Sequence, residues 1–312
     1  MDIISYEKYI NQRKALSKNW MALGNFDGVH KAHREILNDA VKKAKKCKMT
    51  PSVLLFEPHP VIYFENKQDF LLTTFEEKVD KMKKSGLKLA IVKPFELEFA
   101  SKSPYEFAVW IKKLLDVRGI SIGYDYTFGA KKRGEAKDLA AYGKGLGFYT
   151  SMVPPVRASS GLLISSSRCR DLLKEGRPDE AAEFLGEPYS ISGYVVKGDG
   201  RGKCLGFPTA NLAVPPEKLL PCRGVYLVKV KKDQRFHWGV CNIGRRPTFK
   251  KENSTIEIHL LEFNETIYDS SLTLYFIEYV RPEHSFSSPK ELTEQLNKDL
   301  KYAREKIGDS LQ

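Results

Sequence analysis

Two histidines three residues apart, His30 and His33, stand in the stretch GNFDGVHKAHREIL (residues 24–37), where an acidic turn runs into the expected start of a helix. At that spacing both imidazoles share one side of the helix start. A helix N-terminus attracts phosphate through its orphan N–H groups and its dipole. Two imidazoles there suit the oxygens of a nucleotide triphosphate and the charge that builds when a phosphorus is attacked. Zinc fits less well, because zincins use an i, i+4 spacing with a glutamate between and no third ligand is evident. A pair that merely caps the helix stays open from this stretch alone.

A second set lies in GDGRGKCLGFPTANL (residues 198–212) and STIEIHLLEF (residues 254–263). The first is not a P-loop: no glycine stands at 197, and Cys204 occupies the place of the serine or threonine that would hold magnesium. Neither it nor GKGLG (residues 143–147) carries a dinucleotide fingerprint. Thr209 and Asn211 are two apart in an extended segment, so their oxygens face one way and could hold a magnesium ion bridging nucleotide phosphates. In the second stretch, alternation sets Ile256, Ile258 and Leu260 on one face and Glu257, His259 and Leu261 on the other. Glu257 is a candidate general base for a hydroxyl nucleophile; its plain alternative is a solvated charge on an outer face.

Four shorter stretches could serve these sets. FEPHP (56–60) holds His59 between prolines. GYDYTFGAKKRG (123–134) offers Asp125, the aromatics Tyr126 and Phe128 as a platform for a flat ring, and the cations Lys131, Lys132 and Arg133. ISSSRCR (164–170) leads Ser165, Ser166 and Ser167 into a helix from about Arg168. NIGRRPTF (242–249) sets Arg245 and Arg246 beside a rigid proline turn.

The elements that must position these residues form two groups. From residue 20 to about 153, strands WMALGNF, PSVLLFE, LKLAIVKPF, RGISIGYDY and FYTSMVPPV alternate with helical stretches. One of these, SPYEFAVWIKKLLDV, has Ser103 as N-cap and Pro104 in its first turn. Strict alternation predicts an α/β domain, a Rossmann-like parallel sheet with helices on both faces. In such a sheet ligands bind outside the carboxyl ends of the strands near the switch point, which is where GNFDGVHKAH falls. A helical stretch, SSSRCRDLLKEGRPDEAAEFLG, follows. Beyond residues 186–189 the chain reads strand after strand and closes with a helix from about Pro289 to Ile307. That predicts an all-β antiparallel barrel or sandwich with an appended helix. The expected domains are residues 1–186 and 187–312.

Composition bounds the rest. At 312 residues, two domains are expected. The N-terminal stretch has no apolar core behind a basic leader, and no apolar run approaches the ~20 residues needed to cross a bilayer, so a cytoplasmic protein is expected. Five scattered cysteines without a CxxC pair argue against a disulfide framework or a cysteine zinc site. The formal charge of +12 favours anionic partners. A nucleic-acid binder, however, is expected to gather its cations in one stripe with interleaved aromatics, and here they scatter along helices.

Taken in order, GNFDGVHKAH, FEPHP, GYDYTFG, ISSSRCR, GRGKCLGFPTANL, GVYLVKV, GVCNIGRRPTF, IEIHLLEF and VRPEHSFSS resemble the bacterial bifunctional riboflavin kinase and FMN adenylyltransferase family, the prokaryotic FAD synthetases. Flavin enters through this resemblance and not from composition or spacing. The resemblance implies an N-terminal nucleotidylyltransferase domain that transfers AMP from ATP to FMN, giving FAD and pyrophosphate. It also implies a C-terminal barrel that phosphorylates riboflavin with ATP and Mg2+. It places His30 and His33 on the phosphates, with Gly24, Phe26, Asp27, Ser165, Ser166, Ser167 and Arg170 around the nucleotide. Gly200, Arg201, Lys203, Gly206 and Pro208 fall to the kinase nucleotide, Thr209 and Asn211 to magnesium, and Glu257 to the base. Asp125, Tyr126, Phe128 and Arg281 fall to flavin. Its partners are small molecules, without nucleic acid or membrane, and the chain is expected as a monomer or weak homo-oligomer. The chain departs from the family pattern at Ala32, where the HxGH motif has glycine, and at Ser167 and Cys169, where threonine and isoleucine are usual. Two alternatives follow: a riboflavin kinase with an impaired adenylyltransferase domain, and a basic flavin- or nucleic-acid-binding protein.

Overall fold

The computed structural model describes residues 1–12, 18–198, 206–248 and 251–309. It divides into two compact units, Met1–Ser166 and Ser167–Gln312.

In the first unit, strands β1 (Asp2–Ser5), β2 (Asn19–Leu23), β3 (Thr50–Glu57), β4 (Leu89–Pro94), β5 (Val117–Gly123) and β8 (Tyr149–Val153) form one sheet in the order β1-β4-β3-β2-β5-β8. Every neighbouring pair is parallel. A separate hairpin pairs β6 (Thr127–Phe128) with β7 (Gly134–Glu135). The helices are α1 (Tyr6–Gln12), α2 (Lys31–Lys46), α3 (Pro60–Glu65), α4 (Phe75–Lys83), α5 (Leu97–Ala100), α6 (Pro104–Leu115) and α7 (Ala136–Leu146).

Side-chain alternation divides the core as two covered faces require. Met21, Leu23, Leu54 and Ile91 pack with Tyr9 of α1 and with Phe107, Trp110 and Ile111 of α6. Trp20, Ala22, Val53 and Ala90 pack with Ile36, Leu37 and Ala40 of α2 and with Val79 and Met82 of α4. The Trp20 ring lies so close over Gly119 that a Cβ there would stand 2.3 Å from Cε3. The expected Ser103 cap is present, in a capping box with Glu106, and Pro104 opens α6. The strand order reverses at β2, which has β3 on one side and β5 on the other. All five expected strands are present. Strand β1 is an addition: a four-residue, largely exposed edge strand has too few apolar positions to announce itself.

Ser166, the last residue of the first unit, is also the first of α8 (Ser166–Lys174); the second unit continues α8 from Ser167 and adds α9 (Pro178–Leu185). The single helical stretch expected here is two helices because Gly176 turns at φ +74° and Pro178 begins a new first turn. Six antiparallel strands close a barrel in the order β10-β13-β12-β11-β14-β9. They are β9 (Ser190–Val196), β10 (Ala210–Ala213), β11 (Gly224–Lys232), β12 (Arg235–Thr248), β13 (Lys251–Leu260) and β14 (Ser271–Arg281). Short β10, inside PTANL, pairs with β13 on one side and β9 on the other and so makes a barrel of what would be an open sheet. Ala210, Ile258, Cys241 and Tyr226 are register partners and are all buried. The neighbouring row, Asn211, Glu257, Asn242 and Val225, faces the other way. On that face Leu300 and Ala303 of the terminal helix α10 (Pro289–Asp309) pack against Val225, Leu227 and Val240.

Candidate functional site

In the first unit, loops from the carboxyl ends of the strands enclose a cavity of about 780 Å³. Gly24, His30, Ala32 and His33 reach it from the β2–α2 turn, Asp125, Tyr126 and Phe128 from the loop after β5, and Ser165 and Ser166 from the segment after β8. The geometry joins the two readings left open for the histidines. His30, 4% exposed, is the N-cap of α2, and its Nδ1 accepts the His33 N–H at 3.2 Å. An Nδ1 that accepts carries no proton, so the proton of the neutral ring sits on Nε2 as a donor. The His33 ring stacks on it with centroids 3.6 Å apart and planes 14° off parallel. Capping therefore fixes the His30 ring, and stacking sets the His33 ring against it. The amides of Lys31 and Ala32 have no acceptor within the helix.

The turn that delivers His30 is strained. Phe26, Gly28 and Val29 lie at φ +52°, +84° and +44°, and the left-handed region at a β-branched valine costs on the order of 1–3 kcal/mol that the surroundings must offset. Phe26 and Val29 are buried in the core and do not line the cavity. Asp27 does not line it either. Its carboxylate, 2% exposed, accepts from Leu72 N at 3.1 Å, Thr73 N at 3.0 Å and Thr73 Oγ1 at 3.3 Å. Lys78 is buried beside it, and desolvation pulls its ammonium below its ordinary pKa while Asp27 and Glu57 oppose that shift. The Ser166 hydroxyl donates to the Asp27 carbonyl at 2.9 Å. Ser167 and Arg170 follow it on α8.

The rest of the cavity wall is aromatic. Tyr126 and Phe128 stack at 5.8 Å, and burial pushes the Tyr126 hydroxyl up, so it stays protonated. Phe56, Phe95, Phe99 and Phe107 continue the surface, a feature scattered in sequence and not anticipated from it. Gly123 leaves room for Asp125, since a Cβ there would lie 2.9 Å from Oδ1. Lys131 and Lys132 line the cavity from left-handed conformations, φ +54° and +55°. His59 caps α3 through Nδ1, which accepts from Val61 N at 3.2 Å, and is not among the lining residues. One wall is thus flat and apolar, and the other carries imidazoles, hydroxyls and cations.

In the second unit, barrel closure sets Asn211 directly across from Glu257, and Glu257 across from Asn242. Thr209 is exposed and two residues from Asn211, as expected, and Glu257 is half-buried. Gly198 faces the Asn211 amide so closely that a Cβ would collide with it. His259 Nδ1 lies 2.9 Å from the Pro208 carbonyl oxygen and its ring meets Phe207, which fixes the approach to β10. Gly206 holds φ +84°. Thr209 and Asn211 carry neutral oxygens of the kind magnesium takes, and Glu257 stands across the strand pair from Asn211. Arg281 is the register partner of Val225, and its guanidinium makes a two-pronged pair with Asp299 of α10, 2.9 Å from Nε and 2.7 Å from Nη2. Gly200, Arg201 and Lys203 lie outside the described residues, as do the side chains of Arg245 and Arg246.

Comparison with known proteins adds to this geometry. Residues 12–168 match the family described as FAD synthetase, and residues 185–307 match the family described as riboflavin kinase. The chain is 38% identical over 282 residues to the bifunctional riboflavin kinase/FMN adenylyltransferase of Listeria monocytogenes, covering 89% of each. It is 36% identical over 292 residues to the Bacillus subtilis protein of the same name, covering 92% of each. A crystal structure titled a macrolide-efflux protein, from Streptococcus pneumoniae, superposes with a TM-score of 0.85 at 31% identity over 97% of this chain and 99% of that one. Among the described residues, no helix is long and apolar enough to cross a membrane.

Proposed function

The chain belongs to the bifunctional riboflavin kinase/FMN adenylyltransferase family and converts riboflavin to FMN and FMN to FAD with ATP, and on that premise we propose which of its residues perform each step. The observation that carries the assignment is the gathering of His30, His33, Asp125, Ser165 and Ser166 in one cavity with an aromatic wall.

For adenylylation, the isoalloxazine ring lies against the aromatic wall with Asp125 near the flavin or ribose, and the triphosphate runs over the N-terminus of α2. The FMN phosphate oxygen attacks the α-phosphorus of ATP, and pyrophosphate leaves. His30 Nε2–H and the stacked His33 ring stabilise the charge on the phosphate oxygens, which costs little reorganisation because the cap already orients them. Gly24 allows close approach of the nucleotide, and Ser165 adds a hydroxyl to the phosphate cradle, while Ser167 and Arg170 are assigned to the phosphates by the family motif alone. Phe26, Asp27 and Ser166 serve by shaping the turn.

For phosphorylation, Glu257 accepts the proton of the ribityl 5'-hydroxyl as that hydroxyl's oxygen attacks the γ-phosphorus of ATP, the bond to the β–γ bridging oxygen breaks and ADP leaves. Thr209 and Asn211 would hold Mg2+, which would supply neutralisation of phosphate charge. Gly200, Arg201, Lys203, Gly206 and Pro208 are assigned to the nucleotide, and Arg281 to flavin. We place the catalytic domains at residues 1–186 and 187–312. The protein works in the cytoplasm on small molecules, as a monomer or weak homo-oligomer without nucleic-acid or membrane partners.

A second reading, a kinase with weakened adenylylation, is favoured by one observation: the Ala32 methyl lies on the cavity wall. Incubating the purified protein with riboflavin, ATP and Mg2+ and separating flavins by chromatography decides between them, with FMN and then FAD expected. Accumulation of FMN alone supports the second reading. Glu257→Gln supplied with riboflavin should make no FMN, yet make FAD when given FMN.

A further inference from the structure

We infer that Thr73, outside the cavity and remote in sequence from every residue assigned above, is a positioning residue for adenylyl transfer. It acts through Asp27 and Gly28 on His30. This rests on the proposed role of His30.

Thr73 is 3% exposed in the segment before α4. Its Oγ1 accepts the Gly28 N–H at 3.0 Å and donates to Asp27 Oδ1 at 3.3 Å, while its own N–H donates to the same Oδ1 at 3.0 Å. One hydroxyl thus bridges the two residues at the centre of the left-handed turn, which its own dihedral preferences do not favour. The turn ends at His30, whose backbone begins α2 and whose Nδ1 caps it, so any relaxation of residues 26–29 rotates both stacked imidazoles. From the other side, Ser166 Oγ holds the Asp27 carbonyl. Asp27 therefore acts as a clamp among three segments: the β2–α2 turn, the segment before α4 and the start of α8. Thr73 is the member whose hydroxyl works only inside this clamp.

A hydroxyl that shapes the site without touching substrate should act on turnover more than on binding. The full-length enzyme, with ATP, FMN and Mg2+, is assayed for FAD formation in Thr73→Val and Thr73→Ser. Thr73→Val should lower kcat roughly tenfold or more, the scale of a small misplacement of reacting groups. KM for FMN and ATP should stay near wild type, and Thr73→Ser, which keeps the hydroxyl, should restore kcat. FMN formation from riboflavin in the barrel serves as the internal control and should not change. If Thr73→Val fails to fold, seen as lost quenching of FMN fluorescence, Thr73→Ala gives the same comparison without the added methyl. Unchanged kcat, a rise in KM alone, or a Thr73→Ser enzyme as slow as Thr73→Val overturns the inference. His30→Ala separates the two claims: if it retains FAD formation, the role of His30 fails; if it is inactive while Thr73→Val is not, only the positioning role fails.

Discussion

The two units assemble their sites by opposite means. In the first, the cavity sits beyond the sheet, and loops from several strand ends deliver side chains to it; the backbone there is forced into left-handed conformations at Phe26, Gly28, Val29, Lys131 and Lys132. In the second, Asn211 and Glu257 stand on strands, and barrel register alone makes them neighbours. A loop-built site needs anchoring contacts to hold strain, whereas a strand-built site needs only the correct pairing, because a slip of one residue turns every side chain to the other face.

Five changes test that contrast. The largest effects should come from a mirrored pair: His30→Ala is expected to lower FAD formation from FMN, and Glu257→Gln FMN formation from riboflavin, each by about 100-fold or more. Each variant should leave the other activity intact, and a double loss in either one would mean that the units are not independent. Next, Asp299→Ala removes the partner of Arg281 from a nearly buried pair and should cost the barrel about 3–5 kcal/mol. In calorimetry this lowers the transition of the second unit and leaves that of the first in place. Gly198→Ala pushes a methyl into the Asn211 amide and should reduce kinase turnover roughly tenfold by displacing the side chain proposed to hold magnesium, with FAD formation from supplied FMN unaffected. The smallest effect is expected of Ala32→Gly. It removes a methyl from the cavity wall at a helix cost of at most about 1 kcal/mol, so FAD formation should stay level or rise, and a clear fall would show that the alanine is fitted to this pocket.

Legibility in the sequence followed the range of the interactions. The Ser103 cap, the His30–His33 pair, the Thr209–Asn211 spacing and the alternation around Glu257 are all local, set by helical or strand periodicity, and each was readable from residues a few places apart. Asp27 shows the limit. Its position in an acidic turn before a helix suggests phosphate chemistry, yet its carboxylate is satisfied by Leu72 and Thr73. Arg281 shows it again, since its partner, Asp299, lies on a helix beyond the barrel.

The sequence by itself determined the alternating parallel domain, the strand-rich domain with its closing helix, and the residues able to do chemistry, because backbone periodicity and capping depend on near neighbours. Only the tertiary structure decided which of those residues meet. Barrel closure through a four-residue strand set Asn211 against Glu257. Burial turned Asp27 inward, the aromatic wall came together from distant segments, and Thr73 was placed beneath the turn that carries His30. These outcomes depend on contacts between segments far apart in the chain, which no local pattern encodes and which the burial of apolar surface and the pairing of backbone groups fix only when the whole fold forms.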